Sequence, residues 1–396
     1  MFSTRMLGFV VCLWAVGLSH DATAQIRDPF ALAEPAANAQ PAPSPIASEP
    51  RTPVPQETGL GPSRQTEPMS AKVQAAPTWR LLLNNLFVLR FNPVGLEDQL
   101  RLGIQRRLPE IEGSEGLLFR DRFVFAGIAP RLNPAFVKIG PSLELQPLSI
   151  LNLRVTAEYM YLFSTFGFLQ SFASARDDYS DPLMAACASA DPTTRESCRY
   201  TDGQGVVQQG SAERRNYRTG GLHMMVEPTV QLKLGPVLLR NRLSLEYWYM
   251  DLRDGDRVFF DVTLDTLVPA RGWVLANDLD LAWMFKFGLM AGVRYSVVQP
   301  FYSGNDLRPG EFVDFVHNGV QRIGPILSYT FFDRGFVRFN KPTILLISGF
   351  YVSHRYRAGQ EPAAVFPGLI VQNPAMPYLV IGFSFQSDLL SPAAKR

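Results

Sequence analysis

Apolar and polar side chains alternate along most of the chain after residue 79. In the segment 241–250, "NRLSLEYWYM", one row of alternate positions holds Leu, Leu, Tyr and Tyr, and the other is mostly polar. A period of two residues is that of a β-strand with one apolar face. The segment 277–287 repeats this pattern. The alternation therefore predicts strands with two unlike faces, and it leaves open what the apolar face contacts.

Twelve such strands are predicted, each with about the ten residues that a tilted strand needs to cross a bilayer. They span 79–91, 98–108, 117–129, 135–146, 151–164, 221–234, 238–251, 277–287, 290–300, 319–332, 339–355 and 376–386. Tight turns near residues 235, 288 and 333 alternate with long connections at 165–220, 252–276, 301–318 and 356–375. This asymmetry is typical of a membrane barrel and is not explained by the alternative, a secreted β-sandwich. We expect the apolar faces to meet lipid.

The first residues, "MFSTRMLGFVVCLWAVGLSHDATA", have the features of an export signal. Arg5 provides a short positive region, an apolar run covers 6–18, and the sequence at 22–24 fits a cleavage site. We expect residues 1–24 to be a signal peptide and Gln25 to begin the mature chain. No later window has the ~18 uninterrupted apolar residues of a spanning helix.

Residues 25–78 are rich in Pro, Ala, Ser, Gln and Glu, as in "PAANAQPAPSPIASEPRTPVPQ". Such a composition cannot bury a core, so we expect a disordered periplasmic linker. The linker either tethers the barrel to a periplasmic partner or serves as an inert spacer. The barrel is expected to cover 79–390, with a long extracellular loop at 165–220 and a short tail at 391–396.

Several segments carry a resemblance to known proteins. The last strand, "YLVIGFSF", is similar to the C-terminal strand that barrel-assembly machinery recognises, although eleven residues follow Phe385. "NPVGLEDQLRLGIQRRL", "TFGFLQSF" and "YTFFDRGFVRFNKPT" look like segments of uncharacterised delta-proteobacterial outer-membrane barrels. The resemblance implies an all-β, antiparallel up-and-down barrel in the cell outer membrane, surrounded by lipid and inserted by the assembly machinery. It brings no functional residues.

The polar rows of the predicted strands are rich in charge, and basic residues outnumber acidic ones although the whole chain carries only +2. The candidates for the lumen wall are Arg101, Arg107, Lys138, Glu144, Arg154, Glu158, Glu227, Lys233, Arg240, Arg242, Glu246, Asp278, Asp280, Lys286, Arg294 and Arg322. An open lumen of this kind would favour anions. Alternatively, facing charges pair and fill the narrow interior of a twelve-stranded barrel. The near-neutral balance gives no support for nucleic-acid binding.

Cys187 and Cys198 are the two cysteines that follow the predicted signal peptide. Because an exported chain folds in an oxidising compartment, we expect them to form a disulfide within the long loop. Two cysteines without nearby histidines do not make a metal site.

Three histidines, His223, His317 and His354, fall at or near the predicted outer rim. A rim histidine beside Asp or Ser can act as a general base in hydrolysis. However, the sequence has no H-E-x-x-H motif and no phosphate-binding loop, so we expect solvated histidines, no catalytic residue and no cofactor or metal. The leading hypothesis is a pore for small polar or anionic solutes. An occluded barrel that serves as a structural component of an envelope complex comes second, and a rim-sited hydrolase third.

Overall fold

The computed structural model describes residues 78–391 apart from 110–116, 120, 164–170, 182, 185–198, 202–206, 210–216, 336 and 358–377. The predicted signal peptide, nearly all of the predicted linker and both cysteines lie outside these residues, and so does the expected disulfide. Within the described ranges, no helix has the length and apolarity needed to cross a bilayer.

Fourteen strand segments form one closed antiparallel barrel of twelve strands. They are β1 (Trp79–Phe91), β2 (Gly95–Arg107), β3 with β4 (Phe123–Ile128 and Arg131–Asn133), β5 with β6 (Phe136–Ile139 and Pro141–Leu148), β7 (Leu151–Leu162), β11 (Thr219–Leu234), β12 (Val237–Met250), β15 (Arg271–Met284), β16 (Leu289–Phe301), β17 (Val320–Thr330), β18 (Asn340–Ser353) and β19 (Tyr378–Asp388). The barrel is closed because β1 pairs with both β2 and β19. The short segments β8 (Ser171–Phe172), β9 (Arg199–Thr201), β10 (Val207–Gln209), β13 (Val258–Asp261) and β14 (Thr266–Pro269) lie in connections.

The predicted strand count is confirmed, while some bounds differ for local reasons. The strand predicted at 277–287 begins at Arg271 and ends at Met284, because Gly288 adopts a φ of +88° in the turn that follows. The strand predicted at 117–129 starts only at Phe123, after a 3-10 turn, and resumes beyond a break at residues 129–130.

The outward face of the barrel is apolar and the inward face is mixed. Leu281 and Phe350 point outward and are 56% and 54% exposed, whereas Asp280 and Ala282, on either side of Leu281, are buried inside. A closed barrel of this kind leaves no unpaired strand edge, so its backbone can sit in hydrocarbon. The apolar row that the alternation predicted is therefore the lipid-facing row.

Three polar pairs interrupt this apolar surface, and each joins neighbouring strands diagonally. The amides of Asn241 and Asn277 donate to each other at 3.0 and 3.2 Å. The Asn85 amide donates to Asp98 at 2.6 Å, and the Tyr295 hydroxyl donates to Gln321 at 2.9 Å. In each pair the partner lies two residues from the position directly opposite, which is a diagonal that long side chains span in a sheet.

From β7 onward, long connections leave one end of the barrel, here called the loop end, and shorter turns join the strands at the other, the turn end. At the loop end, β13 and β14 form a hairpin over residues 258–269, here called the cap hairpin, and β8 pairs with β13. Phe172, Tyr179, Phe260 and Leu267 are buried together in the core of this small sheet. The loop end is therefore covered by a packed structure.

Candidate functional site

The cap hairpin lies over a cavity inside the barrel. Thr263 and Leu264, at the hairpin tip, line a cavity of about 280 Å³ whose other walls come from the inward rows of the barrel strands. Phe259 of the hairpin packs with its ring centroid 5.5 Å from that of Trp248 on β12. We call this cavity the chamber.

One wall of the chamber is a ladder of alternating charges on β7, β11, β12, β15 and β16. Arg154 pairs with Glu227, and Arg242 pairs with Asp278 and lies 4.0 Å from Glu227. Each acid of this wall thus contacts more than one cation. Because both signs are buried and matched, the ladder holds its side chains in fixed positions.

The ladder continues toward the turn end around a third carboxylate. Asp280 accepts from Arg240 Nη2 at 2.6 Å and from Arg294 Nε at 2.6 Å. Arg294 also lies 3.4 Å from Asp278. A guanidinium that bridges two carboxylates makes several charge-assisted hydrogen bonds at once, which are the strong ones in proteins.

The opposite wall is apolar. Val88 of β1, Ile347 of β18 and Val380 of β19 are buried in one cluster, against which Leu345 and Tyr378 pack. Arg322 of β17 lies within this wall, and its guanidinium carbon is 4.2 Å from the centre of the Tyr378 ring. The chamber therefore has one charged and one mainly apolar side.

Beside the roof of the chamber, a histidine lies between two carboxylates. His223 Nδ1 is 3.1 Å from Glu158, and its Nε2 is 3.0 Å from Glu246. The ring stacks on Trp248 with centroids 4.0 Å apart. A ring nitrogen facing a carboxylate must carry a proton to donate, so the arrangement requires an imidazolium or a protonated glutamate.

The tip of the cap hairpin, which also includes Asp265, is held by a buried polar cluster, here called the latch. Asp265 is fully buried and accepts from Arg357 Nε at 3.0 Å and from the Tyr351 hydroxyl at 2.7 Å. Arg357 also forms two parallel hydrogen bonds to Asp181, at 2.7 and 3.0 Å. Although burial opposes it, these two carboxylates raise the pKa of Arg357 above its ordinary value.

His354 completes the latch as a neutral ring. Its Nδ1 accepts from the Tyr356 backbone N–H at 3.0 Å, and its Nε2 donates to the Asp265 carbonyl at 2.9 Å. Burial lowers the pKa of His354, and the nearby Arg357 guanidinium lowers it further, partly offset by the Asp265 carboxylate. The geometry and the lowered pKa agree on one tautomer.

The structure places thirteen of the sixteen predicted lumen residues inside the barrel, each with an ion pair or a ring contact. For example, Arg101 pairs with Glu144 at 2.6 Å, and Lys138 lies 4.5 Å from the Trp248 ring centre. Arg107 and Lys233 are half-buried near the turn end of their strands. Lys286 is not on a strand: it is exposed in the turn at 285–288, because the strand ends at Met284.

Sequence reasoning missed several charged residues of the interior, among them Arg90, Glu97 and Arg131. Arg90 pairs with Glu97 at 2.6 Å, and Arg131 lies 3.3 Å from Glu158. Glu97 and Arg131 fall just outside the predicted strands, whereas Arg90 lies on the inward row of β1 and could have been found by its parity.

The expectation of solvated rim histidines is wrong for two of the three. His223 is buried in the lumen, because it shares an inward row of β11 with Glu227, and His354 is buried in the latch. His317 is exposed on a connection at the loop end. Among the residues that the structure describes, no three His, Cys, Asp or Glu side chains are placed to hold a metal ion.

A closed twelve-stranded barrel with an apolar outer face and a charged interior is a transmembrane barrel of the outer-membrane type. The chain is thus a bacterial outer-membrane β-barrel protein, located in the cell outer membrane.

No family model matches the sequence, and no curated protein does. Solved structures that are similar include the β domain of the Bordetella autotransporter BrkA (8% identity, TM-score 0.37, covering 79% of this chain and 100% of that one). Others are the NanC porin (8%, 0.34, 78% and 100%) and the CymD monoaromatic hydrocarbon channel (11%, 0.33, 80% and 90%). Because these identities and TM-scores are low, the class of the protein rests on its own strand pairing and faces.

Proposed function

We propose that the protein is a channel for small anionic solutes and that the cap hairpin is its gate, with the loop end facing the outside of the cell. The observation that carries the proposal is the chamber beneath the hairpin, whose lining includes seven arginines and three acidic residues. A narrow space with an excess of fixed positive charge concentrates anions.

The cap hairpin can move without loss of barrel pairing. It connects β12 to β15, and those two strands pair directly with each other from Val237 to Tyr249, below the hairpin. Across the mouth it is held by side-chain contacts: the latch, the packing of Phe259 against Trp248, and a 3.2 Å hydrogen bond from Arg90 to Thr263. An element that is joined to the barrel wall at one end and held by side-chain contacts at the other has the construction of a lid.

A second candidate is an occluded barrel that serves as a structural component of the envelope. The observation that favours it is the apolar cluster that extends from the chamber wall to Leu238 and Met290 near the turn end. Together with the paired charges, this cluster fills part of the interior. The two candidates differ in whether removal of the hairpin opens a path for ions.

The test is conductance of the refolded mature protein in a planar bilayer with a KCl gradient. In one variant a four-residue Gly-Ser linker replaces residues 259–268, and in a control the same linker replaces the partly exposed tip at 308–312. We expect the first variant to give stable, anion-selective openings and the control to behave as the wild type. Silence in all three proteins would favour the occluded barrel, and cation selectivity would contradict the assignment to anions.

A further inference from the structure

Arg322 differs from the other arginines that line the chamber. Each of the other six forms at least one ion pair. Arg322 is only 8% exposed, yet among the described residues its Nη1 has no hydrogen-bond partner and its guanidinium has no ion pair. A buried charge without a partner is costly, and a fold retains it where a ligand supplies the missing charge.

The surroundings of Arg322 leave its donors available. Its guanidinium lies over the rings of Tyr378 and Tyr351, with centroid distances of 4.2 and 5.8 Å. Because the N–H donors of a guanidinium lie in its own plane, stacking on a ring does not occupy them. A carboxylate can then accept two parallel hydrogen bonds from the edge of the group.

The wall beside Arg322 is apolar and has space. Val380 and Ile347 line the chamber there, and so does Gly349, where a side chain would contact the stem of Arg322 and the ring of Tyr378. An inorganic anion would leave this apolar surface in contact with water, whereas an organic anion would cover it. The chamber volume, about 280 Å³, is at the lower end of the range for ligand pockets, which suits a small molecule.

We infer that the chamber contains a binding site for a small apolar monocarboxylate, with the carboxylate on Arg322 and the hydrocarbon part against Val380 and Ile347. The inference deepens the proposed function and rests on it for one step, that the bound carboxylate is the transported solute. Binding in detergent solution requires no conductance, so failure to bind and failure to conduct are separate results.

The test is titration calorimetry of the refolded mature protein with benzoate, benzamide and inorganic phosphate. Benzoate is expected to bind saturably. Benzamide, which has nearly the same shape but no charge, and phosphate, which has charge but no apolar part, are expected to bind at least tenfold more weakly. Equal binding of benzamide, or tighter binding of phosphate, would overturn the inference.

Variants locate the site. Arg322→Gln is expected to weaken benzoate binding about ten- to a hundredfold, which corresponds to the loss of a charge-assisted hydrogen bond. The matched control is Arg271→Gln, since Arg271 is exposed outside the chamber and stacks on Tyr249; it should leave binding unchanged.

Gly349→Val tests the same site with Arg322 intact, and it carries the test if Arg322→Gln fails to fold. A Cβ at residue 349 would meet the Arg322 Cβ at 3.4 Å, an ordinary contact, and the rest of the valine would occupy the space proposed for the ligand. Benzoate binding should fall at least tenfold. Benzoate affinity within twofold of the wild type in the folded variants would place the ligand elsewhere and refute the assignment.

Discussion

Replacement of Asp265 by Asn should shift the cap hairpin toward an open position. The substitution removes the charge at the centre of the latch but keeps the size of the side chain. Asp265 has a φ of +61°, and Asn is among the residues that best tolerate this conformation, so backbone strain changes little. Any change in the hairpin position therefore results from the loss of the negative charge.

The size of this shift follows from two hydrogen bonds that Asp265 accepts, from Arg357 Nε at 3.0 Å and from the Tyr351 hydroxyl at 2.7 Å. A hydrogen bond to a charged group contributes about 1.5–3 kcal/mol, and one between neutral groups about 0.5–1.5 kcal/mol. Two such reductions weaken the closed state by about 2–3 kcal/mol, because the site is fully buried and solvent does not screen it. The ratio of open to closed hairpin should rise about 30- to 150-fold.

Single-channel recording measures this change as an increase in open probability. The control is Asp314→Asn, which makes the same substitution at an exposed aspartate of the loop end. An open probability of Asp265→Asn within twofold of the control would refute the reasoning, since it would mean that the latch does not hold the gate. Arg357 retains its two hydrogen bonds to Asp181 in the variant, so the cap as a whole should remain folded.

Two further predictions concern histidines. Because the pKa of His354 is lower in the closed cap than its ordinary value of about 6.5, the closed state binds fewer protons than an open one, and its advantage is lost as pH falls below about 6.5. Acidification from pH 7.5 to 5.5 on the loop side should therefore raise open probability, and His354→Gln should flatten this dependence; an equal slope in both proteins would contradict it. In the lumen, His223→Leu should leave Glu158 and Glu246 without the hydrogen-bonded ring between them, at a cost of about 3–5 kcal/mol. Urea unfolding measures the loss, with Met224→Leu on the lipid face as the control; equal midpoints for the two variants would show that the hydrogen bonds of the histidine do not stabilise the barrel.

The alternation of side chains was enough to predict the barrel, because a strand between lipid and a polar interior exposes its two faces to opposite solvents. The cap hairpin could not be predicted in this way. Phe259 and Phe260 are adjacent and both buried, one against the barrel interior and the other in the core of the cap, so the segment has no alternation to read.

The sequence was enough to predict which charged residues face the interior, but not which of them form ion pairs with each other. Parity places Arg242 and Asp278 inside, but their pairing depends on the register of β12 against β15, which no single strand encodes. The same limit hid the site around Arg322. Its isolation is a property of all the strands around it, since one nearby acid in another register would have paired it.

The three diagonal polar pairs on the outer face help to select the correct strand register while the barrel assembles in the membrane. Slippage of β15 by two residues against β12 would restore the apolar-out alternation, so the hydrophobic effect alone would not reject it. In the direction that places Asn241 opposite Leu281, however, it would separate the amides of Asn241 and Asn277 by four positions and leave them unsatisfied in hydrocarbon, at a cost of several kcal/mol for each group. Asn277→Leu should accordingly fold to a mixture of registers, visible as heterogeneous migration of the unheated barrel in gels. The polar pairs weaken contact with lipid, but each one favours a single register between its two strands.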